Sequence, residues 1–153
     1  MAMVDASLVL DAIVAVSIAA GAFFAVIELR DMKKDRRTQL MLQACTHWTT
    51  REFEEALCKL YRANANDAKG LEKEVSCVDL YMITDFHWIV ARLGLEGLVD
   101  MGTVIRIFPF SLVWNKVKPW VVAERVAIGH EGVYSSLEKV AQLQEKDGSY
   151  FDI

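Results

Sequence analysis

The sequence predicts an all-α protein: one N-terminal transmembrane helix followed by a small cytoplasmic helical bundle. Three observations carry that expectation. Residues 12–27, AIVAVSIAAGAFFAVI, hold no charged side chain. Residues 30–37 then read RDMKKDRR, five cations against two acids. The remaining 116 residues repeat apolar positions at helical spacing, and none of their segments sustains the period-two alternation of a half-buried sheet.

Composition narrows the function classes. A chain of 153 residues is the size of one domain. With 54% hydrophobic and 25% charged residues it is too apolar for a disordered protein. Its three cysteines lack paired spacing, which argues against a disulfide-built secreted scaffold. A net charge of −4 argues against general nucleic-acid binding. The charge is also uneven, at −3 over residues 1–29, +3 over residues 30–37 and −4 over residues 38–153. Those limits define the expected membrane helix, the basic juxtamembrane segment and the cytoplasmic helical domain.

The first element follows from length. Residues 8–27 are interrupted by a single charge, Asp11. Twenty helical residues rise roughly 30 Å, the thickness of a bilayer hydrocarbon core. Asp11 stands near one end, where its carboxylate reaches the headgroups at reduced cost. A secretory signal would carry its cations before the apolar run, whereas this chain begins MAMVD and carries them after it. Arg30, Lys33, Lys34, Arg36 and Arg37 form that basic flank. By the positive-inside rule they place the C-terminal domain in the cytoplasm and the N-terminus outside, in a cell membrane. The same cations are candidates for contact with anionic headgroups. Inside the span, Ser17, Gly21 and Ala25 recur every four residues, a small-residue face that lets another helix approach closely.

The later elements follow from periodicity. Leu40, Ala44 and Trp48 continue the four-residue spacing, so the first helix is expected to run on. Thr49 with Glu52 is a capping-box pattern that would restart a helix carrying Phe53, Ala56, Leu57, Leu60 and Tyr61. Residues 64–70 are polar, end in Gly and read as a loop. From Leu71 one helix is expected, with Val75, Val78, Met82, Phe86, Ile89 and Leu93 on a shared face and Gly94 and Gly97 closing it. Asp100 is placed to cap a short helix through Ile107, and Phe108-Pro109 marks a turn or helix start. Pro119, within the next apolar pattern, must kink that helix or begin another. Gly129 and Gly132 frame a break before a final helix over residues 133–146, and the tail DGSYFDI reads as loosely ordered.

The search for chemistry finds little. Cys45 and His47 are two residues apart, which on a helix separates them by about 200°. Cys58, Cys77, His87 and His130 lie in separate segments. No zinc, di-iron, nucleophile-elbow or phosphate-loop spacing is present. Glu52, Glu54 and Glu55 read as one solvated helix face. No catalytic residue, metal or cofactor is therefore expected.

One string stands out: Trp114, Pro119, Arg125, Tyr134 and Glu138. With the membrane helix and its charged exit, it resembles an uncharacterised prokaryotic family of short single-pass membrane-anchored helical proteins, known by a domain-of-unknown-function label. The resemblance implies the architecture and no activity. Read from the residues themselves, Arg125 can pair with Glu138 across the last two helices while Trp114 and Tyr134 pack. The function expected is a non-catalytic interaction protein, an accessory or assembly subunit of a larger membrane complex. Its partners would be the bilayer and other membrane proteins or itself. The alternatives are a stand-alone homo-oligomeric anchor or sensor and, third, a membrane-tethered metal-binding protein.

Overall fold

A computed structural model describes residues 6–148. Among the described residues there are seven helices and no strand. In chain order they are α1 (Ala6–Trp48), α2 (Arg51–Arg62), α3 (Ala68–Val75), α4 (Cys77–Leu95), α5 (Met101–Ile107), α6 (Phe110–Ile128) and α7 (Ser135–Asp147). The chain divides into two compact units, one ending at Gln39 and the other beginning at Leu40.

The first unit is the long part of α1. The run-on expected from Leu40, Ala44 and Trp48 is present, since α1 continues unbroken to Trp48. From Ile13 onward α1 contains the one described segment long and apolar enough, by length and composition, to cross a membrane. Its large apolar side chains from Leu10 to Leu29 are 40–69% exposed.

The second unit is a helical bundle with its own core. In it α7 packs on α4 and α6, α2 on α4, and α3 on α6. Trp120, Phe53, Phe108, Phe110, Leu60 and Leu137 are among the largest fully buried side chains. In α2 the buried Phe53, Ala56, Leu57 and Leu60 follow the helical stripe. Glu52 and Glu54 in its first turn and Lys59 and Arg62 in its last complement the helix dipole. The predicted capping box is absent. Thr50 is the N-cap but makes no side-chain cap bond. The Thr49 and Thr50 hydroxyls instead donate back to Thr46 O and His47 O at the end of α1.

Two boundaries differ from the sequence reading. The expected loop 64–70 ends early, because Asp67 caps α3 by accepting from Gly70 N at 2.8 Å. The single helix expected from Leu71 is broken at Ser76, whose φ of 71° leaves the helical region. Ser76 Oγ then accepts from Asp79 N and caps α4. The break resets the register. Val75 is buried and Val78 is 77% exposed, so they do not share a face. The buried stripe of α4 runs through Leu80, Ile83, His87, Val90 and Gly94.

Further along, Asp100 caps α5, with Oδ2 accepting from Thr103 N and Oγ1 at 2.7 Å each. Helix α6 starts after Pro109 and passes through Pro119 without ending, although Pro119 has no amide to donate within it. Gly129, at φ 72°, closes α6 in the left-handed region. The final helix begins at Ser135, two residues later than its periodicity suggests, because Tyr134 is itself left-handed at φ 57°. Of the tail, Asp147 ends α7 and Gly148 is left-handed; residues 149–153 lie outside the described residues.

One buried side chain joins three of these helices. Gln144 in α7 accepts from Ser111 N with Oε1 at 2.8 Å. Its Nε2 donates to Phe108 O at 2.9 Å and to Ile105 O. Helix ends leave amides and carbonyls without helical partners. Here one amide group satisfies the start of α6 and the end of α5 together. Gln144→Ala orphans all three backbone groups in a dry interior and is expected to cost roughly 3 kcal/mol. Urea unfolding of the full chain in detergent, followed by circular dichroism, checks this.

Candidate functional site

The sequence-singled string does not form one site. Arg125 gathers two of its members. Its Nη2 donates to Glu138 Oε2 at 2.8 Å, and its Nε donates to Val133 O at 2.9 Å. Its guanidinium lies 5.7 Å from the Trp114 ring centroid. The Arg125 carbonyl accepts from Gly129 N and His130 N. Arg125 therefore closes the α6–α7 connection with both backbone and side chain. Pro119 stands apart, lining a shallow depression with Ala63, Leu112 and Lys116.

Tyr134 belongs to a neighbouring polar and aromatic cluster. Its hydroxyl donates to Asp85 Oδ1 at 2.8 Å, and its ring centroid lies 6.2 Å from Trp120 and 6.4 Å from Trp88. Burial pushes its hydroxyl pKa up, partly opposed by a hydrogen bond with Thr84 and reinforced by the Asp85 carboxylate. A left-handed tyrosine is a strained backbone, and these contacts over-determine it. Nearby, Tyr81 donates to Glu124 Oε2 at 2.6 Å, a bond that pushes its pKa up to about 12. Trp120 Nε1 donates to Glu72 Oε1 at 3.0 Å.

Two concavities flank Asp85. The first is an open apolar groove of about 600 Å³ walled by Leu40, Ala44, Met82, Phe86, Ile89 and Leu93. Gln43, His47 and Asp85 supply its polar edge. Of the residues read as a core face, Phe86 is buried and Met82 and Leu93 are half-buried against the core, while Ile89 is 51% exposed on the groove wall. The second, of about 500 Å³, is lined by Asp85, Trp88, Arg92, His130, Val133 and Tyr134. Arg92 Nε pairs with Glu96 at 2.7 Å, and its guanidinium lies 5.8 Å from the Trp88 ring.

His87 sits behind the groove, fully buried among Trp48, Phe53, Phe86 and Phe110. Its Nδ1 lies 2.7 Å from Ile83 O. A carbonyl only accepts, so Nδ1 carries the proton and Nε2 presents a lone pair. That Nε2 has no hydrogen-bond partner among the described residues. Burial pushes the pKa of His87 down to about 4, outweighing the bond to Ile83. The spacing of Ile83, His87 and Ala91 on one stripe was a readable signal of this burial. The sequence reading passed over it, as it did Gln144 and Asp85.

The residues singled out on α1 are placed as follows. Arg30, Lys33, Arg36 and Arg37 are exposed, and the Lys34 side chain lies outside the description. Ser17, Gly21 and Ala25 are exposed, and Ser17 Oγ donates to Ile13 O at 2.8 Å. Cys45 is half-buried, while Cys58 and Cys77 are exposed. Among the described residues, no three potential metal ligands converge. Compared with known proteins, no family model, curated protein or solved structure matches this chain.

Two predictions follow from these contacts. Below pH 6.5 the unfolded His87 takes up a proton while the folded one stays neutral until about pH 4. Stability present above pH 6.5 is therefore lost as the pH falls toward 4, by up to roughly 3 kcal/mol. Denaturation across that window should show His87→Leu with a shallower pH slope than wild type; equal slopes would contradict it. The Arg125–Glu138 side chains are 18% and 30% exposed, so solvent screens the pair only in part. A double-mutant cycle with Arg125→Met and Glu138→Gln should give a coupling of about 1 kcal/mol.

Proposed function

We propose that this chain is a membrane-anchored interaction protein, an accessory or assembly subunit of a larger membrane complex. The observation that carries the reading is α1: large apolar side chains from Leu10 to Leu29 stand exposed, and a basic segment follows them in the same helix. A buried core helix would have these side chains covered, and among the described residues they stand exposed. A bilayer supplies the missing apolar environment and costs the helix no backbone hydrogen bond. The positive flank favours a single pass with the C-terminal domain in the cytoplasm. In this reading the chain is one of the short single-pass helical proteins that its Trp114–Glu138 string resembles.

The bundle supports an interaction role through shape. An open apolar groove with few polar edges is the kind of surface that takes the apolar face of a partner helix. The alternative reading, a stand-alone homo-oligomeric anchor, is favoured by the exposed face of Ser17, Gly21 and Ala25.

Gentle affinity purification of the natively expressed full chain, with mass spectrometry of co-migrating proteins, tests the proposal. Larger membrane proteins in stoichiometric amounts are expected in the membrane fraction. Recovery of this chain alone would overturn the accessory-subunit reading, and recovery from the soluble fraction would overturn the anchor.

A further inference from the structure

The charges at the exit of α1 are sorted by face. At about 100° per residue, Arg36, Lys33, Arg37, Arg30 and Lys34 fall by register within an arc of roughly 160°. Glu28, Asp31 and Asp35 fall within roughly 60° on the other side. An isolated helix gains from opposite charges three or four residues apart and loses from like ones. This segment does the reverse. Arg30 with Lys34, Lys33 with Arg37, and Asp31 with Asp35 are like-charged at four residues, and Asp31 with Lys34 is its one opposite-charged neighbour pair. The side chains of Glu28, Arg30, Asp31, Lys33, Asp35 and Arg36 are exposed. Among the described side chains, none of these six makes an ion pair.

Such a pattern is unfavourable within one helix and complementary between two. We infer that a second copy of this chain, inserted in the same direction, docks its basic face against Glu28, Asp31 and Asp35. The inference rests on the membrane-anchor reading. Copies inserted with the same polarity hold these charges at the same height, so the two faces meet in register without any shift along the axis. Ser17, Gly21 and Ala25 run by register from the acidic face to its boundary with Arg36, where small side chains allow the neighbouring helix close approach. A Cβ added at Gly21 meets nothing within 4 Å in the isolated chain, so the space there is free for a neighbour.

Symmetry then limits the assembly. A parallel two-fold pair centred on the acidic face would set acid against acid, so the contact is centred on the boundary between the two faces. Centred there, a parallel pair sets each copy's acidic edge against the other's basic edge, as e and g positions do in parallel coiled coils, and a head-to-tail ring of three or more copies does the same around its axis.

The test uses the full chain in mild detergent and in lipid nanodiscs, with native mass spectrometry counting copies. Wild type is expected as a species of two or more chains, weakened by high salt. Asp31→Lys with Asp35→Lys preserves the positive flank and should lower the oligomer population by roughly tenfold or more. A wild-type monomer, an oligomer indifferent to salt and to the reversal, or a different protein seated in place of further copies overturns the inference. Membrane fractionation of the same samples separates the two readings. Embedded chains that fail to associate contradict the inference alone, and chains found in the soluble fraction contradict the anchor beneath it.

Discussion

The constraint on which the proposed account depends is the apolar surface of α1. Side chains such as Val16, Ile18, Phe23 and Phe24 are each more than 60% exposed. In water a continuous surface of this kind drives association or aggregation. In lipid it costs nothing, because the tails are as apolar as the side chains. The proposed membrane location therefore follows from solvation. The clustering of five cations at the exit follows from the same placement, since that is where a membrane helix meets the headgroups.

The second unit meets a different requirement, which is to hold short helices together with a core of its own. Apolar burial supplies the drive, and a few polar side chains fix how the helices join. Gln144 answers the open ends of α5 and α6 at one point. Arg125 holds the turn after α6 and the strained Tyr134 is anchored on Asp85. Polar groups buried in this way either find all their partners or cost stability. His87, with one nitrogen satisfied and the other unpartnered, is the exception. It links the aromatic core to pH.

Much of this was legible in the sequence, for identifiable reasons. The all-α class, the run-on of α1, the Asp100 cap and the Pro109 start depend on local pattern, and all are present. The juxtaposition of Arg125 and Glu138 was also readable, because helices joined by a short Gly-containing turn lie against each other. What local pattern could not give was register after Ser76. A serine at positive φ carries no sequence warning, and after it Val78 and Ile89 face solvent while Phe86 stays in the core with Met82 and Leu93 packed against it. The Thr49–Glu52 motif failed for a related reason, since both threonine hydroxyls found nearer acceptors at the end of α1. Gln144 was invisible because its three partners lie more than 30 residues away.

The measurement that bears most directly on the central claim is a depth profile of α1. Single nitroxide labels at Val14, Ile18, Phe23, Val26, Lys33 and Arg36 of the full chain in bilayers would be read for access to oxygen and to a water-soluble nickel complex. The account predicts high oxygen and low nickel access at the first four positions, with the reverse at Lys33 and Arg36. Uniform nickel access along the helix, or low access to both reagents at the first four, would contradict it. The first result would place α1 in water, and the second would bury it in protein.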